Sequence, residues 1–294
     1  MILMVGSYGA GITVRVPRVP DGGETISKST LKIGHGGKSS NQAVAAARQG
    51  AHVEILTSLG NDSFAASARE LWTEEGIVHD SCKVGEESTM AGVIIVEPSG
   101  ENRIAIAPGA LEELIPSDIE SARELIESSD VVVVCLEIPV ATVERTIELS
   151  KELGKTVILN PAPANKMSHE IIALADYFIP NETEHRFYSE DGYVAPADQV
   201  QILTRGENGS TIVSGGTETF ITPLNQETVI DTTGAGDTFV GTFAACISTG
   251  MDLTEAVQRA TIASSLSVTK EEVIPSIPRK EAVDTAFSQY LENK

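Results

Sequence analysis

Aromatic and basic side chains are both scarce in this chain of 294 residues. Aromatics make up 4% of it, and the 21 Lys and Arg are outnumbered by 42 Asp and Glu, which leaves a formal charge of −21. A nucleic acid or an anionic membrane surface needs a basic face to approach, so neither is an expected partner. The same charge repels a nucleotide, so a phosphate site here must rely on local backbone N–H groups, a few basic side chains and a metal ion. Taken more simply, the acidity serves solubility and says little of the fold. Cysteine is rare too: Cys82, Cys135 and Cys246 are widely spaced, odd in number and without metal-ligand spacing, so they read as core residues in a reducing compartment. Long apolar runs are missing as well. Met1–Val5 breaks at Gly6 without a basic leader, and Val131–Leu136 is far short of a membrane span. A soluble, cytoplasmic chain is expected.

What is abundant is small and aliphatic. Hydrophobic residues make up 41% of the chain, mainly Ala, Val, Ile and Leu, a stock that suits close packing of helices on a sheet and points to an α/β fold. The length favours one large domain with an insertion over two equal domains. Met1–Val5 reads as a buried first strand. Ile12–Val19 has alternating apolar positions punctuated by Pro17, Pro20 and Gly22-Gly23, which predicts an edge hairpin outside the main sheet. Thr89–Val96 and Arg103–Ala107 flank the turn Pro98-Ser99-Gly100-Glu101-Asn102, a second hairpin. Together these predict a small accessory sheet. From Ser117 onward helix and strand alternate: Asp118–Glu127 is amphipathic, Val131–Cys135 is a buried strand, Val140–Leu153 is helical and Thr156–Leu159 is a strand. The series continues through Ile171–Ala175, Tyr177–Ile179, Val200–Thr204 and Thr211–Val213, a pattern of parallel βαβ units.

Two segments carry chemistry. Asp231-Thr232-Thr233-Gly234-Ala235-Gly236-Asp237 precedes an apolar helix over Thr238–Ile247, closed near Gly250. Small residues at a helix N-terminus leave backbone N–H groups bare, and together with the helix dipole these can hold the negative charge of phosphoryl transfer. Asp237 falls in the first turn, where the dipole favours its ionised form and its carboxylate can take a proton from an attacking hydroxyl. The plainer reading is a capped helix after a Gly turn. The second segment, Gly36-Gly37-Lys38-Ser39-Ser40-Asn41-Gln42, leads into the Ala-rich helix Ala43–Gln49. Its two glycines allow close approach of a ligand, and Lys38 and Asn41 offer a cation and an amide. Here the plainer reading is a helix capped by Ser39 or Ser40, with Lys38 solvated.

The two segments together resemble the paired signatures of the ribokinase (PfkB-type carbohydrate kinase) family. The resemblance extends through Gly6-Ser7, Pro20-Asp21-Gly22-Gly23-Glu24-Thr25, Leu136-Glu137, Asn160-Pro161-Ala162-Pro163 and Pro180-Asn181-Glu182-Thr183-Glu184. It implies a single domain over 1–294: a three-layer αβα sandwich with a mainly parallel sheet, and a small β-lid from insertions at approximately 8–35 and 88–108 that often forms a dimer contact. It implies ATP-dependent phosphorylation of a small sugar at a primary hydroxyl, favouring a ribose-like pentose, with ATP and Mg²⁺. Nucleosides, sugar phosphates and sugar acids are alternative acceptors, and a catalytically weak sugar or nucleotide sensor is an alternative role.

Position by position, the resemblance makes Asp237 the catalytic base and Gly234, Ala235 and Gly236 the anion hole. Gly37, Lys38 and Asn41 would meet the sugar, and Glu137 would accept from one of its hydroxyls. Asn181 would lie near the phosphates, Glu184 in the water network around Mg²⁺, and Thr204 and Gly206 at the nucleotide. From the residues alone, Glu184 reads as a solvated helix charge. Asp231, Thr233 and Ser276 match a potassium site, but Glu272-Val273 stands where the family has Gly-Ala. Gly9 and Gly11 stand where the family has a sugar-binding Asn and Asp, so selection must work differently. Lys38 or Arg103 would favour an anionic acceptor. Between Glu184 and Val200 only a short helix over His185–Glu190 is expected in place of a full crossover helix.

Overall fold

The structure, a computed structural model, describes residues 1–226 and 228–292. In the first part of the chain lie β1 (Ile2–Val5), β2 (Gly9–Arg15), β3 (Thr30–Gly36), α1 (Lys38–Arg48), β4 (Val53–Leu56), β5 (Ser58–Leu59), α2 (Ser63–Glu74), β6 (Lys83–Val84), β7 (Ala91–Val96) and β8 (Asn102–Ala107). The alternating part follows: α3 (Pro116–Ser121), α4 (Arg123–Ser128), β9 (Val131–Cys135), α5 (Val140–Glu152), β10 (Thr156–Asn160), α6 (His169–Ile172), β11 (Tyr177–Phe178), α7 (Glu182–Glu190) and β12 (Val200–Thr204). It closes with β13 (Ser210–Ser214), β14 (Thr217–Ile221), α8 (Ala235–Ser248), α9 (Leu253–Ser267), α10 (Val273–Ser276) and α11 (Lys280–Glu292).

The main sheet has the order β14-β13-β12-β11-β10-β9-β1-β4, parallel except for β13 and β14. Every residue of β1 and β9 is buried, because helices cover both faces and a parallel strand then reads as an unbroken apolar run. Successive residues serve opposite layers. Ile2, Met4, Val131 and Val133 pack with α1 and α8, whereas Leu3, Val5, Val132 and Val134 pack with α5. The result is an αβα sandwich. Strand β1 lies between β4 and β9, so successive connections diverge around it and open a crevice at the carboxyl ends of the strands. Ser7, Glu137, Asn160, Asn181 and Thr204 all follow or end strands on that edge.

A separate four-stranded sheet has the order β3-β2-β7-β8. The predicted hairpin at 12–19 starts earlier, at Gly9, and β2 lies inside its sheet because β7 pairs with it in parallel. The amphipathic segment at 118–127 is two short helices broken at Ala122, not one. Between β11 and β12, α7 is the only helix, as expected from the short segment. Here the few aromatics are concentrated: Phe178 stacks edge-on against Tyr188 and Tyr193, each with centroids 5.5 Å apart. Large rings thus fill space that a longer crossover helix would otherwise cover.

Candidate active site

Helix α1 begins at Gly37, whose φ of 89° and lack of a side chain leave the helix without a side-chain cap, so neither Ser39 nor Ser40 caps it. A carboxylate from the end of β9 takes that role: Glu137 Oε2 accepts from the Lys38 backbone N–H at 2.8 Å and from the Ser7 hydroxyl. An anion at a helix N-terminus is favoured by the dipole. Gly37 is required on steric grounds too, since a Cβ there would lie 2.5 Å from Tyr8 Cα and 2.9 Å from Gly9 N.

One turn into α1, two amides reach Asp237. Asn41 Nδ2 donates to its Oδ2 at 2.8 Å and Gln42 Nε2 to its Oδ1 at 3.2 Å. Gln42 Nε2 is also 3.0 Å from Asn160 Oδ1, and Asn160 Nδ2 donates to the Ile179 carbonyl at 2.9 Å. This chain ties α8 to α1, β10 and β11. Sequence reasoning did not assign Gln42 or Asn160; the signal was a polar residue at the carboxyl end of a buried strand, and an amide beside Asn41 on a helix that buries both. Asn41 Oδ1 and Gln42 Oε1 are buried without a partner among the described residues.

Helix α8 starts after Gly234, whose φ of 77° is left-handed, and a Cβ there would sit 2.3 Å from Val273 Cγ1. The first N–H groups of a helix have no intrahelical acceptor; the Ala235 N–H turns back to the Thr232 carbonyl at 3.3 Å, and the next, that of Gly236, has no side chain in the way. Asp237 lies in this first turn, buried. Burial pushes its carboxyl above the ordinary aspartate value, against the opposing pull of the Lys38 ammonium and the Asn41 hydrogen bond. Burial pushes Lys38 down, but the Asp237 and Glu137 carboxylates outweigh it and hold the ammonium above its usual value. A base whose pKa is raised accepts a proton more readily. If Asp237 must be ionised for turnover, the acid limb of kcat/KM lies above the ordinary carboxylate range. Lys38→Met is then expected to move that limb up by about 1–3 pH units, the effect of removing a close opposite charge. A pH profile of the two proteins checks this, and an unmoved limb would contradict it.

Lys38, Asn160, Asn181, Glu184, Gly234, Gly236 and Asp237 line a cavity of about 200 Å³. A second, of about 670 Å³, runs on past Gly206, Leu224, Ala235, Phe239 and Ser265; Asn181, Thr204 and Gly236 border both. The structure thus brings Asp237, the glycine turn, Lys38, Asn181, Glu184, Thr204 and Gly206 to one connected space, while Gly37, Asn41 and Glu137 line neither cavity. Glu184 is buried, not solvated: it forms a capping box with Asn181, its N–H donating to Asn181 Oδ1 at 2.9 Å and its Oε2 accepting from the Asn181 N–H at 2.8 Å. Burial raises its pKa, opposed by the Asn181 hydrogen bond.

Asp231 lies against Thr233 and against Glu272, which precedes the α10 that carries Ser276, and the Asp231 and Ser276 side chains are already engaged. Asp231 Oδ1 accepts from the Thr233 N–H at 2.9 Å and Oδ2 from the Glu272 N–H at 3.3 Å, while the Ser276 hydroxyl donates to the Val273 carbonyl at 2.8 Å. Arg103 is at the far hairpin, exposed and within 3.6 Å of Glu97 and 3.7 Å of Glu101, so its charge is already answered. At position 9 the space is filled: a Cβ on Gly9 would meet Met90 Cε at 2.2 Å.

Residues 4–280 match the pfkB family carbohydrate kinase pattern. The chain is 33% identical over 295 residues to the ribokinase of Haemophilus influenzae, covering 95% of this chain and 96% of that protein. It is 32% identical over 309 residues to a bifunctional ribokinase/ribose-5-phosphate isomerase A of Fructilactobacillus sanfranciscensis, of which it spans only 56%. Among solved structures, the Arabidopsis thaliana ribokinase complexed with ribose and ATP superposes with a TM-score of 0.89 at 28% identity, covering 97% of each chain.

Proposed function

Since this chain belongs to the pfkB family of carbohydrate kinases and is an ATP-dependent sugar kinase, we propose that it phosphorylates a primary hydroxyl of a ribose-like sugar with Asp237 as base. The observation that carries this reading is the buried Asp237 carboxylate, held by Asn41 and Gln42 in the first turn of α8 where two connected cavities meet. The acceptor hydroxyl gives its proton to Asp237 as its oxygen bonds to the γ-phosphorus and the bond from that phosphorus to the β–γ bridging oxygen breaks, releasing ADP. The N–H groups at Gly234, Ala235 and Gly236 stabilise the charge on the transferred group, for which positioning and electrostatics do most of the work. On the acceptor side, Lys38 supplies a cation to the smaller cavity and Glu137 offers the oxygen not engaged by Lys38 N–H and Ser7, while Gly37 and Asn41 act from beneath, the one packing the turn onto Tyr8 and Gly9 and the other holding Asp237.

ATP would occupy the larger cavity, with Asn181 near its phosphates and Thr204 and Gly206 along its length. Mg²⁺ would be held chiefly by the phosphates and water, as it usually is beside nucleotides. Glu184, with Oε2 spent in the capping box, would orient that water through its other oxygen. When bound, Mg²⁺ neutralises charge on the transferring phosphates. No step is assigned to a monovalent cation. The small sheet would act as a lid that closes over the acceptor and excludes water. Leu31, Ile33 and Val93, which share one face of it, are exposed, and an apolar patch there favours a homodimer formed through this sheet. Three buried, unpaired cysteines suit the cytoplasm, and no helix among the described residues is long and apolar enough to cross a membrane.

The test is ADP formation across pentoses, nucleosides, sugar phosphates and sugar acids, with ³¹P NMR to locate the new ester. Acceptor-dependent ADP and a primary phosphate ester are expected with a pentose. An ester at a secondary hydroxyl, or ATP hydrolysis that no acceptor stimulates, would reject the proposal.

A further inference from the structure

Next to Gly37, one face of the small sheet carries glycines where side chains would stand. Gly9 pairs with Gly36 and Gly11 with Gly34, while Gly11 also pairs with Gly92. Residues opposite one another in a sheet project to the same face. Position 9 is closed by Met90, but at Gly11 the only described atom beyond its own chain neighbours within 4 Å of where a Cβ would stand is the Gly34 carbonyl oxygen, at 3.8 Å.

A carboxylate from a distant part of the chain reaches this face. Glu272 Oε2 lies 3.7 Å from where a Cβ on Gly34 would stand, and Glu272 Oε1 is 2.8 Å from Lys32 Nζ. Lys32 is two residues before Gly34 on β3 and so projects to the same face. The Glu272 backbone holds φ 66° and ψ 151°, a conformation that is almost the preserve of glycine and persists only where the surroundings impose it. Its N–H is tied to Asp231 Oδ2 at 3.3 Å and its side chain to Lys32. Yet the pair is half exposed, at 51% and 42%, and an ion pair this wet contributes little to stability. Stability therefore does not account for the strain, whereas the place to which it brings the carboxylate does.

We propose, resting on the kinase reading above, that Glu272 and Lys32 determine acceptor specificity: the Glu272 carboxylate, laid over Gly34 beside Gly11, takes acceptor hydroxyls that no side chain at 9 or 11 can take. Lys32 steers the carboxylate there. A carboxylate oxygen exposed over Gly34 disfavours an anionic acceptor group placed directly against it, even with Lys32 on the other oxygen. The acceptor class is then a neutral polyhydroxy compound, not a sugar phosphate or sugar acid.

The experiment measures acceptor KM and kcat for a neutral pentose, the matching sugar acid and the sugar phosphate. It compares wild type with Glu272→Gln, Lys32→Met, Glu272→Gly, and Glu272→Gly combined with Gly11→Asp. Both single polar losses should raise the neutral acceptor's KM about tenfold, the loss of a hydrogen bond to a charged group, with kcat and the KM for ATP changed far less. Glu272→Gly relieves the glycine-like backbone and should melt no lower than wild type, which separates specificity from folding, and adding Asp at 11 should recover the KM. If wild type phosphorylates a sugar but its acceptor KM is unchanged in all three single variants, or if it prefers the anionic acceptors, this inference is overturned and the kinase reading stands. If wild type phosphorylates none of them, both are overturned.

Discussion

Asp237→Asn is expected to lower kcat by about 10²- to 10⁴-fold, the usual worth of a positioned general base, and at the same time to raise the melting temperature at pH 7. Both follow from one fact. The carboxylate is buried, and burial raises its pKa despite Lys38 and the Asn41 hydrogen bond, so its charged form is tolerated in the fold for the sake of the reaction. The sign follows from linkage. A group whose folded pKa lies above its unfolded value favours folding most at pH below the unfolded pKa, and that contribution is lost as pH rises through the folded pKa. An amide has no such loss. Asn41 can accommodate the change, because its Oδ1 is unpartnered and a rotated amide would accept from the new Asn. Coupled measurement of ADP formation and thermal melts between about pH 4 and pH 8 reads both effects. A kcat within a few-fold of wild type would remove Asp237 from the role of base.

Much of the architecture could be read from the residues because burial on both faces writes itself as an apolar run. Val131–Cys135 is such a run, and its successive residues divide between the two helical layers. The glycine turn before Asp237 was legible for a similar reason: small residues beside a carboxylate mark the start of a helix, and Gly234 does stand at its N-terminus with a left-handed backbone. What sequence order could not show is convergence across long separations. Gln42 meets Asp237 across 195 positions and Asn160 across 118, and nothing local to Gln42 announces either partner. Glu184 misled for the opposite reason. A Glu in the first turn of a polar helix looks solvated, and only its burial against Asn181 shows otherwise. The loss of side chains at Gly9 and Gly11 was visible as a departure, but what replaced them, Met90 at one position and Glu272 near the other, came from other strands and loops.

Gly241 carries a further consequence of that convergence. Within a helix a glycine ordinarily costs about 0.5–1 kcal/mol relative to Ala, so Gly241→Ala on α8 should stabilise if local propensity decided the matter. The packing argues the reverse. A Cβ at 241 would lie 2.2 Å from the Gln42 carbonyl oxygen, 2.6 Å from Ala45 Cβ and 3.0 Å from Ala46 N. Two of these are backbone atoms of α1, which cannot swing aside as a side-chain tip can, so the helices must separate. Overpacking of this kind costs typically about 1–3 kcal/mol, which outweighs the propensity gain. The same separation carries Asn41 and Gln42 away from Asp237, where contacts of 2.8 and 3.2 Å leave little slack. A displacement near 1 Å at a reacting group can cost about 10²-fold, so Gly241→Ala is expected to lose both stability and kcat. Chemical denaturation and steady-state kinetics on the same preparation decide it. A variant that is more stable than wild type and fully active would mean that α1 and α8 do not need this contact to bring the amides onto Asp237.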